Sequence, residues 1–480
     1  MKKFIFPALF AFLFVFASCM NMSGSSGESG SVRVVLPGSA RYSFSQDKAD
    51  KFVVTISLGS KLVDTKTEFS GGVIEFDELN PGEYIIEAKA FDSDNDLVVG
   101  WGIADATVNA GESTDCTLAL SLTKCISTFD SVPSSSKYKY LAVASSSDMV
   151  KLAEWVKAGS DLEGITITLV DDVDLADCAD EWQPIGFINT ITDEHADDNN
   201  MPFKGTFNGN GKTISYKITK REDGLGSQMF GLFFDNYGTI ENLIVNQTYS
   251  GDLSDRGMSR GGMICTYNYG NIKNCIVKAD ISIGTKSDTA GICKVNTENG
   301  KVVNCFVTGN IENQLTFNWN DSYQKTAGIC AINYGTIENA VSAVQIKTNS
   351  VKDTSTQLSY ISGAIAARTD GYLTNCYWLK DNIDRGGTAE NQIAYISKTD
   401  AYTAEICIPD PSKITGCGYF DTNSPSASVT AGTATECKSA QTLSYSGTLL
   451  DMLNSYVSAS SDSGLKKWKA GTDGSLTFDF

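Results

Sequence analysis

The chain has 480 residues, 57 of them acidic and 38 basic, for a formal charge of −19. That sign is opposite to what phosphate neutralisation needs, so no nucleic-acid partner is expected. The one histidine, His195, excludes an HExxH metallopeptidase and a zinc site built from three histidines, and it weighs against a Ser-His-Asp triad.

Lys2 and Lys3 precede an apolar run, Phe4 to Ala17, interrupted only by Pro7. The run has the length of a signal-peptide core and is too short for a comfortable membrane span. It ends in Phe16-Ala17-Ser18-Cys19, which resembles the lipobox of bacterial lipoproteins, with Phe16 where Leu is common. The resemblance implies a signal peptide over 1–18 and a Cys19 that is diacylated on sulfur and becomes the new N-terminus. Residues 19–30, rich in Ser and Gly, then read as a lipid-attached flexible tether. An ordinary cleaved signal with an incidental cysteine would leave that tether attached to nothing. Loss of Lys2 and Lys3 would take the charge from −19 to −21, so the lipid alone is expected to make the membrane contact. The expected location is exported and membrane-anchored by lipid, at the outer membrane and cell surface or on the periplasmic face.

Residues 31–122 show period-two alternation: Val32, Val34 and Leu36; Val54, Ile56 and Leu58; Tyr84, Ile86, Ala88 and Ala90; Cys116, Leu118, Leu120 and Leu122. With turns at Asn80-Pro81-Gly82 and Asp94-Asn95-Asp96, this predicts a small β-sandwich. Leu79-Asn80-Pro81-Gly82-Glu83-Tyr84 resembles a hairpin of Ig-like and transthyretin-like accessory domains. Residues 123–140 are Ser-rich and read as a linker. A helix is expected next, N-capped by Ser147, with Met149, Leu152, Ala153 and Val156 on one side and Gly159 at its end. A strand should follow over 165–170.

Repeats then begin. Asn236-Tyr237-Gly238-Thr239-Ile240-Glu241-Asn242, Asn268-Tyr269-Gly270-Asn271-Ile272-Lys273-Asn274 and Asn333-Tyr334-Gly335-Thr336-Ile337-Glu338-Asn339 are the clearest copies; Gly300 to Asn304 and Gly371 to Asn375 are weaker ones. The final asparagine recurs after 32, 30, 35 and 36 residues. Such a unit cannot bury its apolar face alone, and stacking solves this. The units are too rich in Gly, Asn, Val and Ile for helices. The expected fold is all-β: an N-terminal β-sandwich, then a right-handed parallel β-helix (solenoid) over 141–378, with an N-terminal capping helix. Residues 379–480 are expected to hold final coils and a short helical cap. The segment 379–438 shows little pattern, while Leu449 to Asn454 suggests a helix. The repeats resemble the GLUG-motif units of bacterial surface proteins. Gly231-Leu232-Phe233 lacks the closing glycine, while Trp182 to Gly186 and Phe203 to Ile214 match the segment that opens such domains.

Asn242, Asn274, Asn304, Asn339 and Asn375 lie between apolar residues and predict a structural amide ladder. Cys265, Cys293, Cys330, Cys275, Cys305 and Cys376 share repeat positions with Leu243, Ala340 and Ile365, which marks them as packing residues; no metal or cofactor site is expected. Outside the ladder, Cys116–Cys125 and Cys407–Cys417 are the candidate disulfides. Tyr237, Tyr269 and Tyr334 hold one place in three repeats. They are a candidate ligand-binding strip, or alternatively rings that cover a corner. The dense carboxylates, Asp171, Asp172, Asp174 and Asp193 to Asp198, precede the repeats and read as solvated loops. No catalytic residues are identified. The expected function is a non-catalytic binding or adhesion module with a glycan or host-protein ligand. The alternative is a carbohydrate-active enzyme, lyase-like or glycosidase-like, on a β-helix scaffold. A face that gathers three carboxylates with a Lys or Arg would favour it.

Overall fold

The computed structural model describes residues 28–36, 49–69, 72–92, 97–178, 182–187, 201–217, 231–251, 261–283, 288–313, 324–348, 360–385, 389–390, 410–432 and 442–480. The chain is mostly β. The α-helices among the described residues are Ser146–Lys157 and Leu449–Ala459.

Residues 30–122 form two sheets around one core. Gly30–Val35 lies between Val73–Leu79, antiparallel to it, and Ser113–Thr117, parallel to it. The other sheet has five strands, in the order Lys61–Phe69, Lys51–Leu58, Gly82–Asp92, Leu97–Val108, Ser121–Leu122. Successive side chains leave a strand on opposite faces. Val32 and Val34 of the first sheet therefore meet Val54, Ile56, Ile86 and Ala88 of the second in one buried cluster. At the Asn80-Pro81-Gly82 turn, the hydroxyl of buried Tyr84 donates to the Asn80 carbonyl at 2.9 Å.

Apart from the antiparallel strands Ala389–Glu390 and Val429–Ala431, the long sheets from residue 124 onward are parallel. Part of the expected linker belongs to them: Lys124–Cys125 pairs with Tyr140–Val143, and Ile126 is fully buried in the repeat core. The helix lies where its pattern placed it, with Met149, Leu152, Ala153 and Val156 buried. Its N-cap is Ser145 rather than Ser147, because the Ser145 hydroxyl accepts from the Asp148 amide. Asp148 fixes the entry further by accepting from the Ser127 and Ala144 amides.

Each repeat contributes to four sheets in turn. Sheet IV holds short strands such as Thr289–Ala290; sheet I holds Phe233–Asn236, Cys265–Asn268, Cys293–Asn296, Cys330–Asn333 and Ala366–Thr369. Sheet II has ten strands, from Lys124–Cys125 to Ile414–Thr415. Sheet III has the longest strands, among them Ile244–Gly251, Ile276–Ile283, Phe306–Asn313 and Val341–Thr348. Every strand of sheet II pairs with its equivalent one repeat on, so Ile240, Ile272, Val302, Ile337 and Leu373 form one buried column. This pairing is compatible with a β-helix.

The tight corner between sheets I and II explains its glycine. A Cβ on Gly238, Gly270, Gly335 or Gly371 would lie 2.0–2.2 Å from the backbone carbonyl oxygen of Gly205, Gly238, Gly300 or Gly335 respectively. Any side chain there would push successive coils apart.

The C-terminal segment lies along the side of the stack rather than only over its last coil. Leu449–Ala459 starts with a capping box between Thr448 and Asp451. The antiparallel pair Trp468–Ala470 and Leu476–Phe478 follows. Leu449, Met452, Leu453, Trp468, Leu476 and Phe478 pack on Ile276, Phe306, Val341, Tyr377 and Phe420, residues of five successive strands of sheet III.

Candidate functional site

Parallel in-register pairing turns each repeat position into a column along the stack. Two of these columns are amide ladders. In the expected one, Nδ2 of Asn242, Asn274, Asn304 and Asn339 donates to Oδ1 of Asn208, Asn242, Asn274 and Asn304, at 3.1, 2.9, 2.8 and 2.7 Å; the ladder thus starts at Asn208, and Asn375, expected as its last member, makes no bond to the Asn339 Oδ1. Asn242, Asn274, Asn304, Asn339 and Asn375 all sit at φ between 49° and 56°. Asparagine tolerates this left-handed region better than other non-glycine residues. The residue type therefore serves both the corner and the ladder. The second ladder, Asn236 to Asn268 to Asn296 to Asn333, has three 2.8 Å amide bonds and ends on the Thr369 hydroxyl at 3.0 Å. At Asn236, Asn268 and Asn333 it was legible in the sequence as the asparagine of Asn-Tyr-Gly, whereas Asn296 precedes Thr297-Glu298; only the other column was identified as a ladder.

The cysteines form interior columns. Cys265, Cys293 and Cys330 align with Ala366 in sheet I. Cys275, Cys305, Cys376 and Cys417 are fully buried after the sheet II corner, and all these thiols are free. Cys116 and Cys125 are free as well, so that expected pair is not formed; Cys407 lies outside the described residues, and Cys417 extends the column instead. Burial pushes the thiols of Cys275, Cys293, Cys330 and Cys376 well above their ordinary range. Only the thiolate is a good nucleophile, so these groups are inert while folded. Iodoacetamide at pH 8 should leave Cys275, Cys305 and Cys376 unmodified in native protein and alkylate all three in guanidinium. Native peptides in which these residues are disulfide-linked to one another would sink the packing role.

Among the described residues, no group of three or more His, Cys, Asp or Glu is placed to hold a metal ion. Cys19, His195 and Asp193 to Asp198 lie outside them. The other acidic group holds turns: Asp172 accepts from the Thr213 amide at 2.7 Å, and Asp174 from the Ala176 amide at 2.9 Å.

Of the expected tyrosine strip, Tyr237 and Tyr269 stack face to face, with centroids 4.2 Å apart and planes 11° from parallel. Tyr237 is 48% exposed and Tyr334 37%. Thr297, whose hydroxyl donates to the Asn268 carbonyl, stands between Tyr269 and Tyr334, so the stack stops at two rings. Tyr334 is joined instead by the Arg368 guanidinium, 5.6 Å from its centroid. Stacking covers one face of each paired ring, so the three tyrosines do not present one continuous strip.

A different surface holds a cleft of about 640 Å3, on the outer side of sheet III. One wall is the column Thr248, Asp280, Asn310, Gln345; the other is Ser282, Glu312, Lys347, Asp384. Between them run Ile281, Ile311 and Ile346, whose side chains are buried and whose strands form the floor. Residues two apart on a strand are about 6.6 Å apart, and coils repeat at about 4.8 Å. The cleft is therefore a trough along the stack axis, each wall about 14 Å long over three coil steps and the two walls offset by one coil. Glu312 accepts from Lys347 at 2.7 Å and from the Ser282 hydroxyl at 3.0 Å. The Glu312 carboxylate beside it raises the Lys347 pKa and keeps that ammonium charged. Asp280, Glu312 and Asp384 are far apart in sequence, which is why a search for dense carboxylates misses them. Counting six and eight residues on from Asn274, Asn304 and Asn339 gives Asp280 and Ser282, Asn310 and Glu312, and Gln345 and Lys347.

Comparison with protein-family models gives no match, and comparison with curated proteins gives none either.

Proposed function

We propose that the chain is a lipid-anchored cell-envelope protein that acts as a non-catalytic binding or adhesion module. In this reading a β-sandwich follows the tether from Cys19. A right-handed parallel β-helix of GLUG-like repeats then displays the ligand-binding surface, in the hand that twisted strands favour. The observation that carries the reading is the in-register pairing across sheet III, which lines up polar side chains from five coils beside one cleft. A stiff scaffold with repeated, regularly spaced contacts suits an extended ligand, because little ordering entropy is lost on binding.

The second reading, a carbohydrate-active enzyme, is favoured by one observation: the trough gathers Asp280, Glu312 and Asp384 with Lys347. Lys347 is held as a cation by Glu312, which opposes its use as a general base. Glu312 is itself engaged by Lys347 and Ser282. These bonds suit binding better than proton transfer.

Two measurements test the proposal. Cys19→Ser should abolish acyl labelling and move the protein from the membrane to the soluble fraction; a substituted protein that stays on membranes ends the anchor. Incubation with polysaccharides should release no new reducing ends and no unsaturated products. Release that Glu312→Gln abolishes would replace binding with catalysis.

A further inference from the structure

We infer that the sheet III trough is the ligand site, and that its ligand is an extended, uncharged glycan chain lying along the stack axis. This rests on the binding-module reading and adds the place, the direction and the ligand class.

The direction follows from the walls. They run across the strands, from coil to coil, so a chain in the trough meets an equivalent position about every 4.8 Å. An added peptide strand is a poor fit. It would lie parallel to the strands and pair at a sheet edge, whereas the trough crosses strands already paired on both sides.

The class follows from the groups. Asn310 and Gln345 each offer an amide donor and acceptor, and Thr248 a hydroxyl. Carboxylates add acceptors, so the walls match a ligand dense in hydroxyl groups. Asp280, Glu312 and Asp384 against Lys347 leave the trough net negative, on a chain of −19, which disfavours uronate or sulfated chains. A polycation is also a poor match. Glu312 already neutralises Lys347, Asp280 and Asp384 lie in opposite walls, and the carboxylates do not converge as a cation site would require.

The test uses the full mature chain and a panel of soluble polysaccharides: neutral glucan, mannan and xylan, amine-bearing chitosan, and polygalacturonate and heparin. Binding is read by affinity electrophoresis and calorimetry. At least one neutral chain should bind, and its short oligomers should bind more weakly. Asn310→Ala with Gln345→Ala, both at exposed positions, should weaken that binding about tenfold or more while leaving the melting temperature unchanged. Tyr237→Ser with Tyr269→Ser should leave it intact. Equal binding by the trough variant, preference for a charged chain, or loss only in the tyrosine variant would each overturn the assignment. The last outcome would keep the binding-module reading and move its site. Cleavage of a chain that the trough variant no longer binds would keep the site and end the non-catalytic reading. If no panel chain binds, the trough assignment falls, and the module reading is left with a protein ligand.

Discussion

Asn304→Ala is expected to lower the unfolding free energy by about 3–5 kcal/mol, since it combines unpaired buried polar groups with a left-handed backbone. Asn304 is fully buried at φ 56°. Its Nδ2 donates to Asn274 and to the Lys466 carbonyl, and its Oδ1 accepts from Asn339 and from the Trp468 indole. Alanine leaves these partners short of a bond and lacks the short polar side chain that lets asparagine tolerate positive φ. Asn304→Gly should recover only the backbone share, about 1 kcal/mol. The check is urea unfolding of both variants at equal protein concentration. An unchanged midpoint for Asn304→Ala would mean that the ladder carries no weight and that the register is wrong.

Trp468→Ala should cost a similar amount, about 3–5 kcal/mol, for a different reason: it empties a buried aromatic site. Trp468 packs on Phe478 with centroids 4.2 Å apart and on Phe306 at 6.5 Å. Its backbone is held by Asn454, whose Nδ2 donates to the Trp468 carbonyl while its Oδ1 accepts from the Trp468 amide. Because its indole bonds the ladder, the two substitutions should not add. A double-mutant cycle with Asn304→Ala should give a coupling of about 1–3 kcal/mol. Strict additivity would show that the C-terminal segment and the ladder are energetically separate. Trp468→Ala should also increase dye binding, since Ile276, Phe306 and Val341 lose part of their cover.

Both effects arise where the C-terminal segment runs along the stack. Tyr456 donates to Glu338 at 2.7 Å, Lys273 meets Asp462 at 3.4 Å, and a Cβ on Gly211 would touch the Phe480 ring. In a stack of repeats each unit touches only its neighbours, so coupling passes from one coil to the next. A segment that bonds Asn274, Asn304 and Asn339 together ties those coils into one cooperative unit.

By itself, the sequence determined whatever depends on period and residue type. Alternation marked the N-terminal strands, and the spacing of Asn-Tyr-Gly and the second asparagine marked the coils. The exchange of Cys with Leu and Ala at one position marked the interior slots. These are local or strictly repeated signals, and each follows from a geometric need: a buried strand face, a left-handed corner, a small apolar volume. Only the tertiary structure decided what depends on register between distant segments. Asp280, Glu312, Lys347 and Asp384 come from four different coils and share no motif; parallel pairing alone sets them side by side. The Ser145 cap was decided by Asp148, whose carboxylate also accepts from the Ser127 amide 21 residues away in sequence. The course of residues 449–480 was not legible either. Their apolar side chains fit an end cap as well as a lateral cover, and the choice was made by the apolar strip on sheet III and by the second N–H of Asn274, Asn304 and Asn339, which donates to the Gly464, Lys466 and Leu453 carbonyls.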